Sequence, residues 1–446
     1  MTRRPHPDGP MQASSGVFAK ALRNAGLLLT GKASAGLLQL ASFALAARGL
    51  GLAEFGVFSM LLAQVQLLTG LAAFQSNQAI IRYGVEHLEG GDTAAFQRLL
   101  KAGTLLDVLA AGLALAAAVV LAPVIGGQLA WDDRLIAAAQ MISLLAFTNA
   151  IATPKGVLRL FGRFDLLAQH SVVTPLGRLL GVIACYLLDT ALFAYLAVWL
   201  VAGFAGAVVA IWLGWREAAR RDLLRGMDLS VRGLAEGNAG IWRFSIIANL
   251  HSSMALVPNH LATFLVGAIL TPAASGLLRI ARELGTAFSK PVELLNQSIY
   301  PDVARLANAG EWARLARTVV HSGLVAAGAS ALVTIAIVFA GRWLIGLVFG
   351  SEYIAAHGVL VMISAATTAS VLVFAVDPAL YSLGRPSRSL ITALVSAAVF
   401  TLVLVLRTGA DGLSGAGWAY LAASAITVAL QCFWFYHHIR GRASPG

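Results

Sequence analysis

Long apolar blocks follow one another along nearly the whole chain. Most of them run for about twenty residues or more, and short stretches containing charged residues separate them. A helix of about 20 apolar residues crosses the roughly 30 Å hydrocarbon layer of a membrane. Backbone groups in lipid must bond within their own segment, so these blocks are predicted to be helices. A transmembrane β-barrel would instead need short alternating segments. We therefore expect an all-α integral membrane protein.

The charge composition supports this class and excludes others. Charged residues make up 12% of the 446 residues and hydrophobic residues 58%, which is too little charge to cover the surface of a soluble protein. The net charge is +11, but the basic residues lie in short loops and not on a patch with interleaved aromatic residues. We therefore expect no nucleic acid partner. Cys185 and Cys432 fall within apolar blocks, so neither a disulfide framework nor a metal cluster is expected.

The apolar blocks predict about twelve transmembrane helices in two six-helix lobes. The first block, with Lys32, is longer than a signal-peptide core and is interpreted as a retained helix. The predicted helices are 24–47, 53–80, 102–126, 134–154, 167–188 and 191–214, followed by 244–270, 273–299, 318–341, 353–382, 388–406 and 412–437. The predicted organisation is a disordered tail at 1–15, an N-lobe at 16–214, a linker at 215–243, a C-lobe at 244–437 and a tail at 438–446.

The distribution of lysine and arginine predicts the orientation of the chain. If the N-terminus is cytoplasmic, nearly all basic loop residues fall on the cytoplasmic side, including those of the 215–243 linker. The loops on the other side hold Arg48, Arg134, Arg342 and Arg407. Cytoplasmic loops of membrane proteins are enriched in basic residues, and an odd number of helices would destroy this alternation. Both termini are therefore predicted to be cytoplasmic.

Two stretches of the chain resemble each other at about half its length. Gly56 precedes a polar helix in the first half, and Gly276 begins one 220 residues later. The loops after these helices place Arg98 and Arg317 at a distance of 219 residues. Each repeat contains six predicted helices, so the two repeats enter the membrane from the same side and are parallel. Parallel six-helix halves that rock about a midplane cavity are an architecture of transporters.

Predicted helix eight carries charged residues inside the membrane. At about 100° per residue, its polar residues fall on one stripe of the helix. The residues of this stripe are Arg279, Arg282, Glu283, Thr286, Lys290, Glu293 and Gln297. A charge at the centre of a bilayer costs at least roughly 2.5–3.5 kcal/mol. This face is therefore expected to line water or to contact other helices, and not to face lipid.

Predicted helices one, two and seven carry milder polar faces. Helix one has Lys32 and Gln39, and helix two has Gln66. The stripe of helix seven consists of Ser245, Asn249, Ser252, Asn259 and Thr263, with His260 beside it. Facing polar stripes from helices one, two, seven and eight predict a hydrated central cavity with an excess of positive charge.

The same charges have alternative interpretations. The alternative is that they form structural ion pairs that fix helix packing, either Arg282 with Glu283 or Lys290 with Glu293. Arg178 lies in a Gly-Arg-Leu-Leu-Gly motif, which is typical of close helix packing, so a structural and a functional role are equally open for it.

Asp377 precedes Pro378 deep within predicted helix ten. A helix broken at this proline would place the carboxylate for coupling to a proton or a sodium ion, and a purely structural role is the alternative. The sequence contains no catalytic constellation, so we expect no enzymatic activity, no cofactor and no bound metal.

Three helix ends resemble those of a known transporter family. They are the junction Arg48-Gly49-Leu50-Gly51…Glu54-Phe55-Gly56, the exit Ile81-Arg82-Tyr83 from helix two, and the exit Tyr300-Pro301-Asp302-Val303-Ala304-Arg305-Leu306 from helix eight. Each is similar to the corresponding segment of the polysaccharide flippases. These proteins form the Wzx-like branch of the multidrug/oligosaccharidyl-lipid/polysaccharide (MOP) exporter superfamily. The resemblance covers nearly the whole chain and implies two six-helix lobes arranged as a V.

The resemblance also implies a function and partners. It implies a protein of the bacterial inner membrane that flips an undecaprenyl-diphosphate-linked oligosaccharide by alternating access, for O-antigen, capsule or exopolysaccharide biosynthesis. By position, the substrate-binding cations would be Lys32, Arg279, Arg282 and Lys290. Expected partners are this lipid-linked glycan, a coupling proton or sodium ion, and the polysaccharide polymerase and chain-length machinery. The alternative is a multidrug or small-molecule cation antiporter of the same superfamily, which would be expected to have a net acidic cavity.

Overall fold

A computed structural model describes residues 10–228, 230, 249, 253–254, 256–383 and 385–443. Within these ranges the chain is helical and contains no strand, and nine helical stretches are long and apolar enough to cross a membrane. The stretch Thr30–Glu89 turns at Gly51, so it contains two crossings. The polar eighth predicted helix and the partly described seventh complete the twelve. The all-α fold with about twelve membrane helices is therefore confirmed.

Seven α-helices form the N-terminal half. They are α1 (Pro10–Ala72), α2 (Ser76–Glu89), α3 (Thr93–Gln128), α4 (Asp133–Ser143), α5 (Ala152–Leu160), α6 (Phe164–Leu187) and α7 (Leu192–Arg220). A 3-10 helix at Leu144–Asn149 joins α4 to α5. The helix begins at Pro10, so residues 10–15, expected to belong to a disordered tail, are helical.

Within the described residues, seven further α-helices lie in the C-terminal half. They are α8 (Ala262–Ile269), α9 (Pro272–Asn308), α10 (Trp312–Val348), α11 (His357–Val371), α12 (Val376–Ser382), α13 (Pro386–Asp411) and α14 (Leu413–Ala443). A π-helical turn at Val257–Leu261 precedes α8, and a 3-10 helix at Ser351–Ala356 precedes α11. Side chains at the N-caps Asp92 and Thr271 accept hydrogen bonds from Ala95 N and Ala274 N, which helps to start α3 and α9.

Several predicted helices differ from those in the structure. Predicted helices one and two are joined without a loop, because Gly51 makes the turn alone with φ 70°, a conformation that only glycine adopts without strain. Predicted helix two stops at Ala72 and restarts at Ser76 as α2. Predicted helices four and ten are each interrupted: α5 and α12 start shortly before Pro154 and Pro378, which then lie in a first turn that needs no proline N–H.

The predicted repeat is visible in matching turns. Gly91 and Gly310, 219 residues apart, both have φ 71°. The residues that follow them, Asp92 and Glu311, are the N-caps of α3 and α10 and have similar φ values of −85° and −81°. The same local geometry at repeat-related positions supports two parallel halves built on one plan.

The core between the halves is aromatic. Phe43 and Phe55 of α1 pack edge to face with ring centroids 6.3 Å apart. The ring centroids of Phe58 and of Trp199 in α7 lie 4.7 Å apart. All four side chains are at most 1% exposed. Edge-to-face aromatic pairs add about 0.5–1.5 kcal/mol beyond the burial of their area. This cluster fixes α1 against α7, and Phe55 also packs on Tyr353 of the C-terminal half, with ring centroids 5.9 Å apart.

The halves touch each other backbone to backbone at one end of the molecule. Ser275 Oγ donates a hydrogen bond to Gly56 O at 2.9 Å, and a Cβ on Gly276 would lie 3.3 Å from Gly56 Cα. Arg48 Nε donates to Val348 O at 3.0 Å, at the C-terminal end of α10, where a cation is favourable. Tyr353 Oη donates to Ala47 O at 2.8 Å. We call these contacts the seal.

The start of the predicted linker is held by α3. Gln97 Nε2 donates to Leu223 O at 2.9 Å and to Arg225 O at 3.0 Å, and Lys101 Nζ donates to Ser230 O at 3.0 Å. Residues 231–243 of the linker lie outside the described residues. The described part of this segment, residues 220–228 and 230, is therefore fixed to the N-terminal half.

Candidate functional site

Two arginines from opposite halves stack on a pair of touching aromatic rings. The guanidinium of Arg178 in α6 lies 5.1 Å from the ring centroid of Trp199. That of Arg279 in α9 lies 4.7 Å from the centroid of Phe43, and the two ring centroids are 5.4 Å apart. A cation over an aromatic face gains about 0.5–2 kcal/mol. The rings thus hold two mutually repelling cations at the contact between the halves; we call this arrangement the arginine stack.

Arg279 is buried and connects α9 to α1. Its Nη2 lies 2.9 Å from Glu283 Oε1, one turn along α9, and its Nη1 is 3.5 Å from Gln66 Oε1 on α1. The side chain of Arg279 is 6% exposed and that of Glu283 is 22% exposed. The alternative of an Arg282–Glu283 pair is wrong, because residues four apart face each other on a helix whereas adjacent residues do not. Breaking a buried pair by removing one partner typically costs about 3–5 kcal/mol.

Arg282 joins the polar faces of predicted helices seven and eight. Its Nη1 donates to Thr263 Oγ1 at 2.7 Å, and its Nη2 donates to Asn259 Oδ1 at 3.1 Å. Asn259 lies in the π-helical turn, where Pro258 has no N–H to donate. Such turns are frequent at functional sites. Tyr420 Oη donates to Pro258 O at 2.5 Å and holds the turn against α14.

A cavity of about 620 Å³ lies within the C-terminal half. Arg282 lines it together with Asp377 of α12, and side chains from α9, α11, α13 and α14 complete its wall. Asp377 Oδ1 accepts hydrogen bonds from Ser389 Oγ at 2.8 Å and from Gln431 Nε2 at 2.9 Å. Among its described lining residues, the cavity therefore has one cation and one carboxylate together with many hydroxyl groups.

The remaining predicted site residues lie at different distances from the arginine stack. Gln39 joins it directly, because its Oε1 accepts from Arg178 Nη1 at 3.1 Å. Asn249 Nδ2 donates to Leu71 O at 2.9 Å and so connects predicted helices seven and two. His260 lies near Arg279 and Arg282. Lys32 is exposed on α1, farther toward the N-terminus than Gln39.

Three side chains of the predicted stripe on helix eight cannot be placed. Lys290, Glu293 and Gln297 belong to α9, but their side chains lie outside the described residues, as does the alternative Lys290–Glu293 pair. Ser245 and Ser252 of helix seven also lie outside them. The part of the stripe that the structure describes consists of Arg279, Arg282, Glu283 and Thr286.

Sequence reasoning missed several residues of the site. Arg178 was interpreted on its packing motif, and nothing in the sequence indicated that Gln39 and Trp199 would be its partners. Ser389 and Gln431 were missed although a signal existed: Ser389, Thr392 and Ser396 are three and four positions apart, so they form a polar stripe on α13.

Comparison with known proteins places the chain in a family. Residues 21–307 match the model of a family described as polysaccharide biosynthesis protein. The chain belongs to this family. It is also 30% identical over 349 residues to inner membrane protein YghQ of Escherichia coli strain K12, an alignment that covers 78% of this chain and 97% of that protein.

Comparison with solved structures identifies the fold of this member of the polysaccharide biosynthesis protein family. It is similar to an inward-facing multidrug resistance MATE family transporter of the MOP superfamily, with a TM-score of 0.73, 11% identity, and coverage of 92% of this chain and 95% of that one. It is also similar to lipid II flippase MurJ in an inward closed conformation, with a TM-score of 0.71, 10% identity, and coverage of 92% and 87%. The fold is that of the MOP-superfamily transporters.

Proposed function

We propose that this protein flips a polyprenyl-diphosphate-linked oligosaccharide across the bacterial inner membrane by alternating access. The observation that carries the proposal is the arginine stack, in which cations from both halves meet inside the membrane. The name of the YghQ relative supports the inner membrane as its location. The family description supports a place in polysaccharide biosynthesis.

The charge of the interior supports an anionic cargo. Arg178, Arg279 and Arg282 lie among the membrane helices, and Glu283 partly neutralises Arg279. A diphosphate carries negative charge and accepts charge-assisted hydrogen bonds from guanidinium groups in a fork geometry. Separation of the halves at the stack would free the guanidinium groups for such an anion. Lys32 and Lys290 are proposed as further cations of this lumen on the basis of the sequence.

The position of the seal supports alternating access. In the orientation predicted from the basic loops, the seal lies at the outer face, so the lumen is closed outside and the cargo is bound from the cytoplasmic side. Rocking of a lobe at 16–214 against a lobe at 244–437 would break the seal and present the sugar outside. The polyprenyl tail remains in lipid between the lobes.

Two further elements belong to the proposal. Asp377, which lines the C-terminal cavity and accepts two hydrogen bonds, is proposed to couple transport to a proton or a sodium ion. The polysaccharide polymerase and chain-length machinery are proposed to receive the exported glycan. The alternative, a small-molecule cation antiporter, is disfavoured because the lumen carboxylate Glu283 is paired with Arg279.

The proposal is tested by replacing Arg279 in the host. The gene is deleted, and lipid-linked oligosaccharides in membrane extracts are measured by mass spectrometry after complementation. The wild-type chain should restore the normal pool. In the strain complemented with Arg279→Gln, a polyprenyl-diphosphate glycan should still accumulate. Loss of a charge-assisted contact is expected to slow transport by about tenfold or more.

The matched control is Arg342→Gln, which removes one exposed arginine from the end of α10. This variant should restore export fully. Immunoblots establish equal amounts of each variant in the membrane. Full export by Arg279→Gln at equal expression would refute the role of the lumen cations, and an unchanged glycan pool in the deletion strain would refute the cargo.

A further inference from the structure

A second cavity, of about 250 Å³, lies within the N-terminal half. It is formed where predicted helices two and four are interrupted, between the end of α1 and the starts of α2 and α5. Lys155 and Arg159 of α5 line it together with Asn77 and Asp107. At about 30 Å³ per water molecule, it has room for about eight waters. It is separate from the arginine stack and from the C-terminal cavity.

The two cations of this cavity have no carboxylate partner among the described residues. Within those ranges no acidic oxygen lies within ion-pair distance, 4.0 Å, of Lys155 or Arg159. The two side chains are close enough to repel each other. Lys155 is only partly exposed, and a cation removed from water without a counter-charge is costly. An anion between the two would relieve both the repulsion and the lost hydration.

Asp107, the one carboxylate among the described lining residues of the cavity, is bonded to a backbone N–H. Asp107 is 5% exposed, and its Oδ2 accepts a hydrogen bond of 2.7 Å from Thr153 N in the first turn of α5. Pro154 follows and has no N–H of its own, so Asp107 fixes the start of this helix. Lys155 is the next residue, and the position of α5 therefore determines where its ammonium lies. Asp107 positions Lys155 without neutralising it.

The C-terminal half has a cavity at the corresponding interruption, where the charged residue beside the proline has the opposite sign. There the helix restarts before Pro378, and the charged residue beside the proline is Asp377. In the N-terminal half the helix restarts before Pro154, and the charged residue beside the proline is Lys155. The two halves share this construction but differ in the charge that it carries.

We propose that the N-terminal cavity binds a phosphate or diphosphate group through Lys155 and Arg159, with the Asn77 amide as an additional donor. Ammonium and guanidinium groups are the usual ligands of phosphate oxygens. The anion is either free phosphate or the headgroup of a phosphate-bearing lipid, and the site does not depend on which glycan is transported.

The test uses the full chain purified into nanodiscs of zwitterionic phosphatidylcholine, with pyrophosphate as the probe and calorimetric titration as the readout. Chloride at equal ionic strength corrects for non-specific charge effects. Wild type should bind pyrophosphate saturably, and Lys155→Gln with Arg159→Gln should weaken binding by about tenfold or more. Lys101→Gln, which removes a lysine outside the cavity, should bind as wild type does.

A second variant separates misfolding from loss of binding. Lys155→Arg keeps the charge and should retain binding within about threefold, and thermal unfolding checks the fold of each variant. Native mass spectrometry of protein extracted from membranes identifies retained phosphate lipids. Lipid lost only from the double variant assigns the site to a headgroup, and pyrophosphate binding without retained lipid assigns it to free phosphate. Equal binding by wild type and the double variant, or none by either, would overturn the site.

Discussion

Asp377 is held by two neutral donors from different helices, Ser389 on α13 and Gln431 on α14. Neither donor carries a charge, and within the part of the chain that the structure describes no basic side chain forms an ion pair with Asp377. Among the described residues, the cation on the wall of the same cavity is Arg282, which is bonded to Thr263 and Asn259. A carboxylate in this setting can exchange a proton or a small cation without breaking a salt bridge.

Replacing Asp377 by Asn should uncouple transport. The amide keeps the shape of the side chain but has no charge to bind a proton or sodium ion, so export driven by either gradient should fall by about tenfold or more. Proteoliposomes with an imposed pH or sodium gradient measure the effect. Ser389→Ala, which removes one donor and leaves the charge, should retain export within about threefold. Unchanged gradient dependence in Asp377→Asn would contradict the coupling role.

The residues that sequence could identify are those whose partners follow from helical periodicity. The stripes on predicted helices seven and eight predicted that Asn259 and Thr263 would face the charged helix, and Arg282 contacts both. The partners of Arg178 could not be predicted, because they depend on how α6 and α7 pack on α1. The charge of the N-terminal cavity was missed because Lys155 and Arg159 follow predicted helix four, which was placed at 134–154, and so belonged to the basic residues of a predicted cytoplasmic loop.

At the scale of helices, the sequence marks the interruptions before α5 and α12 but not the one before α2. Pro154 and Pro378 mark two of them in the sequence, because a proline fits best in the first turn of a helix, although Pro123 and Pro175 lie inside α3 and α6. The break between α1 and α2 has no such mark. Gln75 adopts φ 53° there, a left-handed conformation that costs a non-glycine residue about 1–2 kcal/mol. Tertiary packing imposes this break, so local sequence could not predict it.

Gly56→Ala should weaken the seal. A Cβ at this position would overlap the carbonyl group of Pro272 at the start of α9, and overpacking of this kind costs about 1–3 kcal/mol. The cost falls on the state in which the halves touch, so the population open to the outside should rise about fivefold or more. A Gln66→Cys reporter in a chain lacking Cys185 and Cys432 should react faster with an impermeant maleimide in spheroplasts.

Gly409→Ala is the control for this measurement, because a Cβ there would have no neighbour within 4 Å. It should leave the maleimide rate unchanged. Equal labelling rates in the Gly56 and Gly409 variants would mean that the α1–α9 contact does not close the lumen.

At the scale of the whole molecule, two parallel halves follow from the repeat that the sequence contains. Matching φ values at Gly91 and Gly310 reproduce the predicted offset in the structure. The helix count was predicted because each crossing needs about twenty apolar residues. The relative placement of the halves could not be predicted from the residue pattern. It depends on the aromatic core around Phe43 and Trp199, and no periodicity in the sequence indicates that core.

The orientation in the membrane is predicted from the basic loops. A fluorescent protein fused after Gly446 should be fluorescent, because it folds in the cytoplasm. Alkaline phosphatase inserted in the turn at 188–191 should be active, because that turn is predicted to lie outside. The control insertion at 221–226 should be inactive. An active enzyme at 221–226 with an inactive one at 188–191 would reverse the orientation and place the seal at the cytoplasmic face.

The contact of Gly56 with Gly276 joins two positions that are copies of each other in the repeat. Elsewhere the copies have been free to diverge, as the opposite charges beside Pro154 and Pro378 demonstrate. Where a copy touches its own counterpart, a substitution in one alters the surroundings of the other. An ancestor assembled as a dimer of identical halves would have placed the same side chain on both sides of such an axis, and glycine is the residue that leaves room for both.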